Sequence, residues 1–285
     1  MAEIQNINWF PGHMAKTRRL ISESLKLVDG VVEIVDARIP VSSRNPDIGE
    51  LVKDKPRIVI LNKADVADER ETVKWADYFN KSGCHAMLAD CRSGKGLNRL
   101  TGVVSEALAS VTEKNAARGM AGKQLRLMIV GIPNVGKSSF INRIAGKTRA
   151  RVADRPGVTR GNQWFTVSKG IEMMDTPGVL WAKFDDPNVG ENLAFTGAIK
   201  DEIMDIETLA VRFIEKVRVM YPDIFDNRYK IGDTSDMEDY QILEAIGKKR
   251  GMLISGGEID TERASVMLLD EFRGGKIGRI TLERV

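Results

Sequence analysis

Three short motifs, and the order in which they occur, constrain this 285-residue chain more than any other feature. Asn62-Lys63-Ala64-Asp65 comes first. Gly131-Ile132-Pro133-Asn134-Val135-Gly136-Lys137-Ser138 follows about 70 residues later, and Asp175-Thr176-Pro177-Gly178 comes third. The middle motif closes an apolar run, Leu125 to Val130, and matches G-x-x-x-x-G-K-[ST]. Glycines in such a loop let the backbone curl until its N–H groups point at phosphate oxygens. The lysine reaches the outer phosphates, the hydroxyl meets Mg²⁺, and the following helix presents its positive end. A strand, a tight loop and a helix in that arrangement belong to an α/β sheet whose carboxyl edge is open to a ligand.

The rest of the first two thirds agrees with such a sheet. Residues 14–29 read as an amphipathic helix carrying Leu20, Ile21, Leu25 and Val28. Val31 to Val35 is a buried-type strand that ends in the turn Asp36-Ala37-Arg38-Ile39-Pro40, and Arg57 to Leu61 is another. A helix is expected over 68–81, a short strand over 84–88, and a helix from 96 carrying Leu97, Leu100, Val104 and Leu108. Residues 115–123 read as a linker, and 164–174 as a hairpin ending at Asp175. Alternating strands and helices predict a mostly parallel sheet. Beyond residue 185 strand-like runs almost vanish, and helices are expected at 190–200, 205–219, 236–248 and 258–273. The chain is thus expected to divide into an α/β domain, 1–184, and a smaller all-α domain, 185–285.

Charge divides at the same place. Residues 185–285 carry 14 basic and 21 acidic side chains, and residues 1–184 carry 29 and 19, so only the first part is basic as a whole. A polyanion would meet that part, or local clusters of the second. No apolar stretch approaches the roughly 20 residues that span a bilayer, and Met1 to Leu20 lacks the core of a signal peptide. A cytoplasmic protein without membrane attachment is the expectation. Cys84 and Cys91 have no Cys/His partners at zinc spacing and read as free thiols.

The flanking motifs define the ligand. An aspartate at the position of Asp175, at the end of a strand 38 residues after Lys137, can hold Mg²⁺ through water, and the Gly178 N–H can meet a γ phosphate. The carboxylate of an N-K-x-D motif accepts two hydrogen bonds from guanine and rejects adenine, which leaves a buried acceptor unpaired. Here Asp65 would read the base, Lys63 would pack over it, and Asn62 would brace the phosphate loop. The phosphate contacts fall to Asn134, Val135, Gly136, Lys137, Ser138 and Ser139. In ordinary GTPases the phosphate loop comes first and N-K-x-D late. The reversed order is that of a circular permutation, possible because domain termini lie close together. It makes 115–123 the new join and leaves whatever follows Gly178 tethered to the segment that senses the γ phosphate. The fold class expected is therefore a circularly permuted P-loop GTPase domain followed by an all-α domain. An ATPase with the same loop is the rival that Asn62 to Asp65 argues against.

With Asn8-Trp9-Phe10-Pro11-Gly12-His13-Met14, the Asp36-to-Pro40 turn and the short C-terminal domain added, nearly the whole chain resembles the YlqF-type permuted GTPases, the ribosome biogenesis GTPase A family. The resemblance implies a GTPase that binds the large (50S) ribosomal subunit late in its assembly, converts GTP to GDP and phosphate under stimulation by the subunit, and contacts ribosomal proteins and, through its C-terminal helical domain (185–285), ribosomal RNA. It implies Thr159, in Pro156-Gly157-Val158-Thr159, as the switch threonine on Mg²⁺. Asp90-Cys91-Arg92 stands where the family's S-A-K backs the base, so Cys91 is its candidate contact. Asn134 matches an asparagine associated with K⁺ in related GTPases. Val179 stands where many GTPases carry the glutamine that orients water, and the resemblance offers His13, in the Pro11-Gly12-His13 turn, instead; the alternative for His13 is an exposed loop residue on RNA. Lys147, Arg149, Arg151, Arg155 and Arg160, with Lys16, Arg18 and Arg19, could face RNA phosphates. In the second part, Lys248-Lys249-Arg250 and Arg273, Lys276 and Arg279 could do so. A monomer is expected. The alternative partner is a non-ribosomal protein bound in a GTP-dependent way.

Overall fold

The structure is a computed structural model, and it describes residues 11–152, 163–176, 178, 180, 181, 184, 186–199 and 205–285, without the side chains of 11–17 and 147–152. The strands are β1 (Gly30–Asp36), β2 (Arg57–Asn62), β3 (His85–Leu88), β4 (Leu125–Val130), β5 (Trp164–Ser168) and β6 (Ile171–Asp175). They form one six-stranded sheet in the order β3-β2-β1-β4-β6-β5, parallel except for β5 against β6. The central strands have no polar face, and a strand of that kind must be covered on both sides. Alternation sorts the side chains. Val32, Ile34, Ile58, Ile60, Leu127 and Ile129 pack on one face. Val31, Met128 and Val130, and Val35, Val59 and Leu61, pack on the other.

The helices are α1 (Pro11–Leu25), α2 (Pro46–Val52), α3 (Glu69–Lys81), α4 (Leu100–Ala107), α5 (Ala109–Ala117), α6 (Lys137–Val152), α7 (Pro187–Phe195), α8 (Ile206–Met220), α9 (Ile224–Tyr229), α10 (Asp239–Lys249) and α11 (Thr261–Arg273). Ile21 and Leu25 of α1, Ile48 and Val52 of α2, and Trp75 and Phe79 of α3 cover one face of the sheet. Leu100 and Val104 of α4 and Phe140 and Ile141 of α6 cover the other. The chain runs from β1 outward through β2 to β3, then returns to β4 beside β1 and runs outward the other way. The topological switch point therefore lies between β1 and β4, where open sheets hold ligands. Register places Asp36 opposite Asn62 and Asp175 opposite Ile129, so the ends of β1, β2, β4 and β6 share one edge.

Several boundaries differ from the sequence expectation. The first helix begins at Pro11, not at 14, and ends at Leu25, not at 29. Proline is preorganised for a first helical turn, so His13 lies within a helix rather than in a turn. The helix α2 is additional to the sequence expectation: Asn45 caps it by accepting from Asp47 N and Ile48 N, with Pro46 at its start. The start of the expected 115–123 linker is the end of α5. In the second part, α7 starts at Pro187 under an Asp186 cap, and α9 is additional.

Helices α8, α10 and α11 pack on one another around Phe213, Ile214, Ile246, Leu268 and Phe272, and this apolar core is continuous with the one beneath the sheet. The last ten residues leave the helices and lie along the loops after β1 and β2. Ile280 N donates to Val66 O at 3.1 Å and Leu282 N to Arg38 O at 2.8 Å. The Glu283 carboxylate accepts from Val41 N and Ser42 N, and its carbonyl accepts from Trp75 Nε1. Among the described residues, no helix is long and apolar enough to cross a membrane.

Candidate active site

The phosphate loop grows out of β4 at the switch point. Gly131 has φ +154°, and a Cβ there would sit 2.6 Å from Ile34 O on β1. Asn134 adopts a left-handed φ of 61°. Gly136 has φ +102°, and a Cβ there would lie 2.2 Å from Asn62 Nδ2. Two strands thus press against the loop, and only glycine fits at those points. Val135 is buried in the core, while Ser138 and Ser139 are exposed in the first turn of α6. The leading N–H groups of that helix have no intrahelical acceptor and suit an anion.

Lys137 Nζ donates to Gly131 O and Ile132 O, both at 2.8 Å. Burial pulls its pKa down to about 8, against the opposing charge of Asp175. A Cβ on Gly178 would lie 2.5 Å from that Nζ, so the third motif rests directly on the phosphate-loop lysine. Thr176 anchors it by donating from Oγ1 to Ile129 O at 2.6 Å, next to the end of β4.

The Asn62 motif joins from β2. Asn62 Nδ2 donates to Val135 O at 2.6 Å, and its Oδ1 accepts from Cys91 N at 2.9 Å. One carboxamide therefore links the loop after β2, the loop after β3 and the phosphate loop. Lys63 has φ 61°, and its Nζ donates to Asp36 Oδ2 at 2.8 Å and to Asn134 O at 2.9 Å. Asp65 is exposed at the same edge. The Cys91 thiol is buried and pushed up to about 12, first by desolvation and then by Asp90, and its N–H points at Asn62 rather than outward. Gly96 is required there: its φ is +86°, and a Cβ would come 2.3 Å from Leu88 O.

Asn62, Lys63, Cys91, Asn134, Val135, Gly136, Lys137, Ser138, Ser139, Asp175 and Gly178 are thus brought to one edge of the sheet. Thr159 and Val179 lie outside the described residues, as do the side chain of His13 and those of the basic residues around the first switch. Four of the described arginines expected to face RNA have partners within the chain. Arg19 pairs with Glu23 at 2.9 Å, Arg250 pairs with Glu271 at 3.4 Å and lies over Tyr229, Arg273 donates to Ala194 O and Phe195 O, and Arg279 pairs with Glu69 at 3.2 Å. Lys248, Lys249 and Lys276 remain exposed.

The segment after Asp36 is the turn that the sequence predicts, and the fold adds chemistry to it. Asp36 and Arg38 are both buried and bonded through two contacts at 2.9 and 2.7 Å. The signal was present: two opposite charges directly after an apolar strand, at the edge where the other motifs end.

A protein-family profile described as "50S ribosome-binding GTPase" matches residues 126–248. The match runs from β4 through the phosphate loop to α10 and leaves out β1 to β3 with the Asn62 motif. The chain is 47% identical over 280 residues to ribosome biogenesis GTPase A of Bacillus cereus, spanning 97% of this chain and 93% of that protein. The GNP-bound structure of YlqF from T. maritima is similar with a TM-score of 0.65 and 30% identity, over 94% of this chain and 98% of that one. The GDP-bound structure of TM YlqF gives 0.65 and 29%, over 93% and 99%. With its motifs in permuted order on one sheet edge, the chain belongs to the ribosome biogenesis GTPase A family and is a GTP-hydrolysing enzyme.

Proposed function

We propose that this GTPase acts in late assembly of the large ribosomal subunit, binding it in the GTP state and leaving after hydrolysis to GDP and phosphate. The observation that carries this is likeness along nearly the full length of relatives named for ribosome biogenesis. In this reading the chain divides near residue 184. The basic first part and the exposed Lys248, Lys249 and Lys276 meet ribosomal RNA, and the protein works in the cytoplasm as a monomer.

At the site, Asp65 reads guanine, Lys63 covers it, and Cys91 serves by holding Asn62. The backbone from Asn134 to Ser139 surrounds the phosphates, and Lys137 reaches the outer two. The donor set fits Mg²⁺ bound with its nucleotide. Among the described residues no His, Cys, Asp or Glu cluster could hold a metal alone, but a hydroxyl (Ser138) and a carboxylate (Asp175) flank the loop, and Mg²⁺ completes such a shell with phosphate oxygens and water. Thr159 joins that shell in the GTP state, and Gly178 N–H meets the γ phosphate. When bound, the metal neutralises charge developing on the transferred phosphoryl group. Asn134 is the residue for a K⁺ that would supply further positive charge. Val179 cannot orient water, so His13 takes that role once the subunit is engaged, and basal turnover is slow.

The test is GTP hydrolysis in potassium buffer with purified large or small subunits. Strong stimulation by the large subunit alone, lost in His13→Ala, is the expected result. Equal rates with either subunit would overturn the ribosomal reading and favour a different protein partner. Equal rates in sodium would remove the K⁺ assignment.

A further inference from the structure

Arg38 is among the largest side chains that are completely buried, at 1% exposure. A buried guanidinium persists only when its charge and donors are met. Its Nε and Nη2 clamp the Asp36 carboxylate, Nη1 donates to Arg273 O at 3.4 Å, and the group lies 5.0 Å from the centre of the Phe272 ring. The Asp36 Oδ2 that takes Arg38 Nη2 also accepts from Lys63 Nζ at 2.8 Å.

From there the contacts close into a ring. Lys63 also donates to Asn134 O, and the Asn134 carboxamide donates to Gly197 O at 2.7 Å, just past the end of α7. The Arg273 guanidinium donates to Ala194 O at 2.9 Å and Phe195 O at 3.1 Å, the last carbonyls of α7. A cation at a helix C-terminus is favourable there. Gly197, at φ +72°, brings its backbone within reach of that guanidinium. The ring therefore runs from the base-loop lysine through Asp36, Arg38, α11 and the end of α7 to the phosphate loop and back.

We propose that Asp36 and Arg38 are positioning residues that couple the base and phosphate loops to the helical part. Asp36 holds Lys63 across the phosphate loop, and Arg38 ties the same carboxylate to α11. A nucleotide that settles Lys63 and Asn134 thereby firms the end of α7, and release of α7 loosens the nucleotide, because coupling is reciprocal. The inference rests on residues 62–65 being the guanine loop.

The experiment uses the full chain and a fluorescent GDP analogue, with amide hydrogen exchange at 194–199. GDP should slow exchange there in the unmodified protein. Asp36→Asn and Arg38→Lys should weaken GDP by about tenfold, within the range for residues in one network, and abolish that protection. In a Lys63→Met background Asp36→Asn should change affinity by less than about twofold, since the path is already cut. An undiminished effect in that background, or no GDP-dependent protection in the unmodified protein, would overturn the coupling. Should Asp36→Asn fail to fold, Arg273→Gln carries the same expectations from the far side of the ring. Asp65→Asn separates the underlying reading: an unchanged preference for guanine would refute the guanine loop, and the coupling with it. A lost preference with additive Asp36 and Lys63 effects would refute the coupling alone.

Discussion

Glu33 and Asp36 lie three residues apart on β1, both buried and each held by two cations. Glu33 takes Arg44 at 2.9 Å and Arg57 at 2.8 Å. Asp36 takes Arg38 at 2.7 Å and Lys63 at 2.8 Å. Burial pushes both carboxyls up, and the paired cations override it and hold both below the usual range. The consequences differ because the partners differ. Arg57 opens β2 and Arg44 lies in the turn before α2, so the Glu33 centre fastens β1 to β2 and to the start of α2. The partners of Asp36 belong to the base loop and to a turn that touches α11. Similar chemistry in mid-strand ties neighbouring segments together, and at the strand's carboxyl end it reaches Lys63 at the edge that holds the candidate site.

The largest break in this comparison should come from Glu33→Ala, which strands two arginines in a buried site. Removing one partner of such a centre costs roughly 3–5 kcal/mol, visible in urea denaturation, while GDP affinity of the folded fraction stays unchanged. Lost affinity would put Glu33 in the site as well. Gly136→Ala probes the other end with little core disruption. A Cβ would drive into Asn62 Nδ2 at a φ that suits only glycine, so GDP binding should fall by about tenfold or more, or roughly 1.4 kcal/mol. Calorimetry that finds unaltered binding would remove the Asn62 brace from the account.

Titration separates acid and alkaline windows. Both carboxyls have depressed folded pKa values, so their stabilisation is fully present above the ordinary carboxylate range and is lost as pH falls through the folded values. A Glu33→Gln, Asp36→Asn double variant should therefore show a flatter fall in melting temperature below about pH 4; a slope equal to the parent's would contradict it. Lys137, at about 8 in the folded protein, acts in the opposite direction. Bound phosphates favour its charged form, so GDP affinity should be level below about pH 7 and then fall by up to roughly tenfold per unit above pH 8. Titrations in buffers of different ionisation heat would reveal the accompanying proton uptake. The smallest effect belongs to Cys91→Ala. The thiol is uncharged at neutral pH and the contact to Asn62 comes from backbone, so GDP affinity should move by less than about twofold.

The motif order in the sequence was enough to determine the permuted α/β fold, the strands that end in motifs, and the residue types that curl around phosphate. Those features are local: φ preferences of glycine, alternation of apolar residues, and the spacing of a strand, loop and helix. Tertiary structure alone decided that Arg38 would be buried, that Asn134 would reach Gly197, that Arg273 would cap α7 rather than face solvent, and that the last ten residues would return to the sheet edge. Each of these joins residues tens to hundreds of positions apart, such as Arg38 with Arg273 and Thr281 with Ala37. A charged side chain carries no local mark of its distant partner. Its burial becomes tolerable only once the whole chain has brought that partner within hydrogen-bonding distance.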